Sequence, residues 1–169
     1  MVTVTISETQ FDEAQKIGHE KTRRLTGRPE PSMVNHQPAR GHLLIHIGTV
    51  VAEMAVAQYL NQPWIGDTYN GPAGFDVAPN IEVRSTDPKL GLYIKNREVT
   101  KTDYQKPPSA NYVLTWFTNN NRTVHLVGFM RLDYALSASR PHRNNGQTMG
   151  YIVDHDSLWP IERLYDALN

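Results

Sequence analysis

The stretch that decides the fold is GFDVAPNIEVRS, running from Gly74 to Ser85. Asp76 and Glu82 stand six residues apart on either side of an Ala-Pro-Asn break, and both sit among apolar neighbours: Phe75 and Val77, Ile81 and Val83. Alternation predicts a strand over Ile81–Ser85, with Glu82 and Arg84 on one face and Ile81, Val83 and Ser85 on the other. Phe75–Val77 reads as a preceding short strand, joined by a tight turn that lets the Asp76 carboxylate approach that of Glu82. Two carboxylates at close range repel, and one pKa rises unless a cation intervenes. A divalent ion removes the conflict, because hard oxygen ligands on adjacent strands, completed by water, are what Mg²⁺ accepts. Such a site polarises a phosphodiester and activates water.

Working outward, the strongest helix lies just upstream, from Leu43 to Leu60. Leu44, Ile47, Val51, Met54, Ala55 and Tyr59 recur at spacings of three and four, and Asn61-Gln62-Pro63 ends the run. It supplies an apolar surface for Ile81 and Val83. Before it, Val2–Ile6 alternates as a strand, and Ser7 with Gln10 forms a capping-box pattern opening a helix from about Thr9 to Arg24. Gly27–Arg40 and Gly66–Gly74 read as loops. Downstream, strands are expected at Leu90–Asn96, Asn111–Phe117 and Thr123–Arg131, punctuated by Pro107-Pro108 and Asn119-Asn120-Asn121. After Arg131 regularity fades through Arg140–Gly146, returning at Tyr151–Val153 and in a short helix from Pro160. The reading is one α/β (α+β) domain over residues 1–169: an N-terminal strand, helix and loop (1–40), a core (41–131) and a C-terminal extension (132–169).

Composition bounds the function classes. Basic and acidic residues balance at 17 each, so net charge says nothing for or against nucleic acid. No cysteine is present, which removes disulfides, thiolate zinc sites and cysteine nucleophiles. No apolar run approaches a membrane span. The opening MVTVTISETQFDEAQ lacks a cationic region ahead of an apolar core, so a cytoplasmic protein is expected.

Glu53 in the helix, then Asp76, then Glu82-Val83-Arg84 in a strand is an ordered set that resembles the PD-(D/E)XK nuclease superfamily, with its restriction-endonuclease-like core. The segments IGTVVAEMAVAQYL, DVAPNIEVRST, LGLYIKNRE, NYVLTWF and VHLVGFMR are similar to those of phage and bacterial proteins carrying that core, over roughly Ile6 to Leu164. The resemblance implies a mixed sheet flanked by helices and Mg²⁺- or Mn²⁺-dependent hydrolysis of DNA. It implies Asp76 and Glu82 as metal ligands, helped by the Val83 carbonyl, with Glu53 completing or orienting the metal's water shell. Such nucleases often pair to cut both strands, so a homodimer is in keeping with it. The family's usual lysine at the end of the triplet is here Arg84. A guanidinium stays protonated and cannot act as general base, but it can hold a phosphate or offset transition-state charge. Lys95, on the next strand, is placed to supply the missing ammonium. The alternative is a nuclease-fold accessory of a phage or mobile element that binds nucleic acid or a protein without cutting. A third reading is a structural module of a phage particle.

Plainer accounts compete at each residue. Asp76 and Glu82 could be a turn acid and a surface strand acid, Arg84 a surface partner of Glu82, and Glu53 a solvated helix acid. His42, His46, Thr49 and Glu53 share a helical face on which two histidines and an acid could hold zinc, although the Glu expected directly after the first histidine is missing. His46 could otherwise face the cleft and bind phosphate. Arg131, Arg140, His142 and Arg143 read first as a solvated basic loop and second as a contact to nucleic-acid backbone. Trp64, Trp116 and Trp159 are expected to pack the core.

Overall fold

Ser7 and Gln10 cap the first helix as their spacing predicts: the Ser7 amide donates to Gln10 Oε1 at 2.8 Å, and the Gln10 amide donates to Ser7 Oγ at 3.2 Å. In the computed structural model, which describes residues 1–26, 37–64, 74–86, 91–117 and 122–168, that helix is α1 (Glu8–Thr26), preceded by strand β1 (Val2–Thr5). Helix α2 spans Gln37–Tyr59, so it starts earlier than the apolar pattern suggests and takes in the end of the expected loop. The remainder of that loop, most of the Gly66–Gly74 loop and the Asn119–Asn121 turn lie outside the described residues. No described helix is long and apolar enough to cross a membrane.

Two sheets follow. The first has the order β1-β5-β4-β2, built from β2 (Ile81–Ser85), β4 (Asn111–Phe117) and β5 (Thr123–Arg131) together with β1. It is mixed: β2 runs parallel to β4, while β5 is antiparallel to both β4 and β1. The second has the order β3-β7-β6, all antiparallel, from β3 (Leu92–Lys95), β6 (Arg140–Asn144) and β7 (Gln147–Val153). Short helices α3 (Asn96–Thr100), α4 (Leu132–Ala138) and α5 (Leu164–Leu168) complete the described elements, with two single 3₁₀ turns near the end. The fold is therefore α+β, with a mixed sheet flanked by helices, as the sequence implies.

Three expectations change. Phe75–Val77 forms no strand. With only Ala78-Pro79-Asn80 between them, Val77 and Ile81 close a single bridge, and the rest is turn. Asn96 leaves its strand to start α3. The supposedly irregular stretch after Arg131 is a helix followed by a hairpin.

The core has two parts because β4 is buried on both faces. On one side Val113, Ile81, Val83, Val124 and Leu126 pack against α2. On the other, Tyr112 and Leu114 pack with Leu92, Ile94, Met130 and Val153. Helix α2 is buried around its circumference from Val50 to Ala57, since α1 covers the side turned from the sheet. Gly18 permits that approach: a Cβ there would lie 2.5 Å from Ile47 Cγ1.

Candidate functional site: an arginine among three carboxylates

The pleat sends Ile81 and Val83 into the α2 interface, so Glu82 and Arg84 must face the other way, toward the second sheet. Glu82 lies opposite Tyr112 and Arg84 opposite Leu114 in the parallel ladder. Strand β2 is the outer strand of its sheet, which leaves the Val83 amide available. Asp76, brought back by the turn, accepts that N–H on Oδ2 at 2.7 Å. A third acid arrives from a separate element. Glu98, in α3, accepts the Lys95 amide at 3.3 Å and the Tyr112 hydroxyl at 3.2 Å on Oε2.

These acids surround one cation. Arg84 Nη2 donates to Glu98 Oε1 at 2.7 Å and pairs with Glu82 Oε2 at 3.0 Å. Its Nη1 donates to the Val83 carbonyl at 3.0 Å and stands 3.6 Å from Asp76 Oδ2. The guanidinium also lies over the Tyr112 ring, 5.3 Å from its centre. A second cation, Lys106, is fully buried: its ammonium sits 2.5 Å from Glu82 Oε1, over the Phe75 ring, and donates to the Gly74 carbonyl.

Burial and charge compete at each group. Burial pushes the Glu82 carboxyl up, Arg84 and Lys106 offset this only in part, and the Asp76 charge adds to the rise. Burial pushes the Glu98 carboxyl up, but the charge and hydrogen bond of Arg84, joined by Lys95, together hold it below its ordinary value. Arg84 is held even more firmly protonated than usual; burial opposes this, but Glu98, Glu82 and Asp76 together win. Tyr112 is pushed up by burial and by Glu98. Lys95, half-buried at the margin, is lowered by burial and then by Arg84.

Of the residues expected in a site, then, Asp76, Glu82, Val83 and Arg84 come together, and Lys95 lies within their field. Glu53 is buried on α2, with Lys21 Nζ at 3.8 Å and the Trp64 indole at 3.4 Å. His46 Nδ1 is 2.8 Å from Thr22 Oγ1, a contact between α1 and α2; the His42 side chain lies outside the described residues. Glu98 and Lys106 escaped the sequence reading. Neither stands at a spacing that ties it to Asp76 or Glu82, and the one hint was an acid and a lysine placed ahead of the Pro107-Pro108 return to β4.

A divalent ion does not fit this arrangement as it stands. The donors assigned to it are engaged: Glu82 Oε2 and the Val83 carbonyl by Arg84, Glu82 Oε1 by Lys106, and Asp76 Oδ2 by the Val83 amide. Three carboxylates (Asp76, Glu82, Glu98) face three cations (Arg84, Lys95, Lys106), so the attraction that would recruit a metal is already satisfied inside the chain. Compared with family models, curated proteins and solved structures, the chain matches none.

Proposed function

We propose that the chain is a nucleic-acid-binding domain built on a nuclease-like plan, in which Arg84 takes the place of the divalent ion and no phosphodiester is cut. DNA in a phage or mobile-element setting is the partner that the resemblance implies. One observation supports the non-cutting reading above the rest: the Arg84 guanidinium stands where Glu82, Glu98 and Asp76 converge. Arginine cannot give up its proton to leave as a neutral group. Admitting an ion therefore requires breaking buried ion pairs, whose disruption typically costs about 3–5 kcal/mol.

A second reading, metal-dependent hydrolysis of DNA, is favoured by a different feature. Asp76 and Glu82 do end beside one another, and Asp76 keeps about a quarter of its side chain open to solvent. In that reading Asp76, Glu82 and the Val83 carbonyl hold Mg²⁺ or Mn²⁺ and Arg84 with Lys95 engages the phosphate. Glu53, which the resemblance assigned to the metal's water, lies with Lys21 and Trp64 in the α2 layer on the other face of β2. A bound ion would supply an activated water. The residues present would have to release Arg84 first.

One experiment separates the two. Plasmid, single-stranded DNA and RNA are incubated with the protein in Mg²⁺, Mn²⁺ and EDTA, alongside calorimetric titration with Mn²⁺. The proposal expects no metal-dependent cleavage and no heat of Mn²⁺ binding. Cleavage that disappears in Asp76→Asn and Glu82→Gln, with folding intact, would overturn it.

A further inference from the structure

The second sheet differs in charge from the rest of the chain. Strands β3, β6 and β7 carry Lys95, Arg140, His142 and Arg143 and no acidic residue, in a protein whose basic and acidic residues are equal in number overall. The register explains how these groups are displayed. Lys95 lies opposite Gly150, which lies opposite His142; Tyr93 lies opposite Ile152, which lies opposite Arg140. Since partners in a ladder share a face, Tyr93, Lys95, Arg140 and His142 all stand on one side. Leu92, Ile94 and Val153 fill the other side and are buried against the first sheet.

Gly150 shapes the exposed side. A Cβ there would lie 2.6 Å from the Tyr93 ring and 2.4 Å from the Ile94 carbonyl. Without one, the Tyr93 ring lies across β7 and meets the His142 ring edge-on, at 5.9 Å between centres. Its hydroxyl donates to the Met149 carbonyl at 2.9 Å, which fixes the ring. Strand β6 is the outer strand, and all five of its residues are exposed. Pro141 removes an amide donor from that edge, which makes it a poor template for another strand. Among the described residues Arg140 pairs with Asp154, at 3.7 Å, and both side chains are more than half exposed, so the pair is weak and easily exchanged.

A fixed, part-exposed ring flanked by cations on one sheet face, and leading at Lys95 to the buried arginine cluster, suits one kind of partner. We propose that this face binds a single strand of nucleic acid, with a base stacked on Tyr93 and phosphates held by Arg140 and Lys95. Single strands are favoured because an unpaired base offers its flat face to an aromatic side chain, whereas a duplex keeps its bases stacked on each other. Lys95 and His142 are two strand spacings apart, about 10 Å, so the strip is wide enough for a backbone to cross it. The inference rests on the nucleic-acid-binding reading given above and adds the surface and the strandedness.

Fluorescence anisotropy with short labelled single-stranded and duplex DNA, over a range of salt, tests it. The parent is expected to prefer the single strand. Tyr93→Leu should weaken that binding about tenfold. Arg140→Gln should weaken it and make the slope of log K against log salt shallower by about 0.7, one phosphate contact. Arg23→Gln, the same change of charge on an exposed position of α1 in the opposite layer, should change neither. Circular dichroism checks that each variant folds. If the parent binds DNA but Tyr93→Leu and Arg140→Gln bind as it does, or if it prefers duplex, this surface is wrong while the nucleic-acid reading stands. If the parent binds neither form at low salt, both are overturned.

Discussion

Arg84 can serve three acids because its planar fork presents several donors in fixed directions, whereas a lysine ammonium is one point charge on a flexible stem. That difference carries the site's chemistry, and it is legible in the sequence: alternation put Glu82 and Arg84 on one face of β2, and the short turn before Ile81 put Asp76 within reach. Glu98 and Lys106 were not legible, since only the return of α3 and its following turn over β2 brings them to the acids. Arg84→Ala leaves buried carboxylates without their partner and is expected to cost about 3–5 kcal/mol in urea denaturation. Arg84→Lys should cost less. The alanine variant, with the converging oxygens released, should also gain a rise in Tm on adding Mn²⁺ that the parent lacks. Equal responses of parent and variant to Mn²⁺ would mean that Arg84 does not occupy an ion's place.

The short helices and the late hairpin are where sequence reasoning ran out. The α3 sequence, NREVT, is too short to display a helical period, and its helix is set by contacts rather than propensity. The β6–β7 hairpin did carry a signal. Asn145-Gly146 is the pair that a tight hairpin turn demands, and both residues have positive φ, 49° and 79°. The basic, proline-containing flank masked it. Helix α3 matters because it carries Glu98, whose pKa Arg84 lowers. A carboxyl lowered on folding contributes stability that is complete above its ordinary value of 4.5 and is lost as pH falls through the folded value. Glu82, raised by burial, has the opposite sign: its contribution is present at low pH and fades as pH rises. Comparing the parent with Glu98→Gln isolates the first of these. The gap in Tm should be widest near neutral pH and shrink below pH 4.5, where Glu98 takes up a proton and resembles the amide. A gap that stays constant with pH would assign Glu98 a packing role only.

At the scale of the whole molecule, β4 joins two layers that the sequence did not both announce. The α2 layer was readable because its apolar residues recur within one segment. The second sheet was not, because β3 pairs with β7 across the intervening β4, β5 and α4, and no local spacing records so distant a partner. Strand β4 alternates between the layers: Val113 faces α2, whereas Tyr112 and Leu114 face the second sheet, and all three are fully buried. A strand shared in this way should make the two halves of the core unfold together. Leu114→Ala removes contacts only on the second-sheet side and should cost about 2–5 kcal/mol. Val113→Ala does the same on the α2 side, at about 2 kcal/mol. If β4 couples the layers, both variants shift one urea transition to lower concentration and leave its slope unchanged, because the surface exposed on unfolding is the same. Independent layers would answer differently. Leu114→Ala would then split the curve, with Tyr112 fluorescence lost in an early step and α2 helicity in a later one, and the buried arginine cluster between the layers would open with the first.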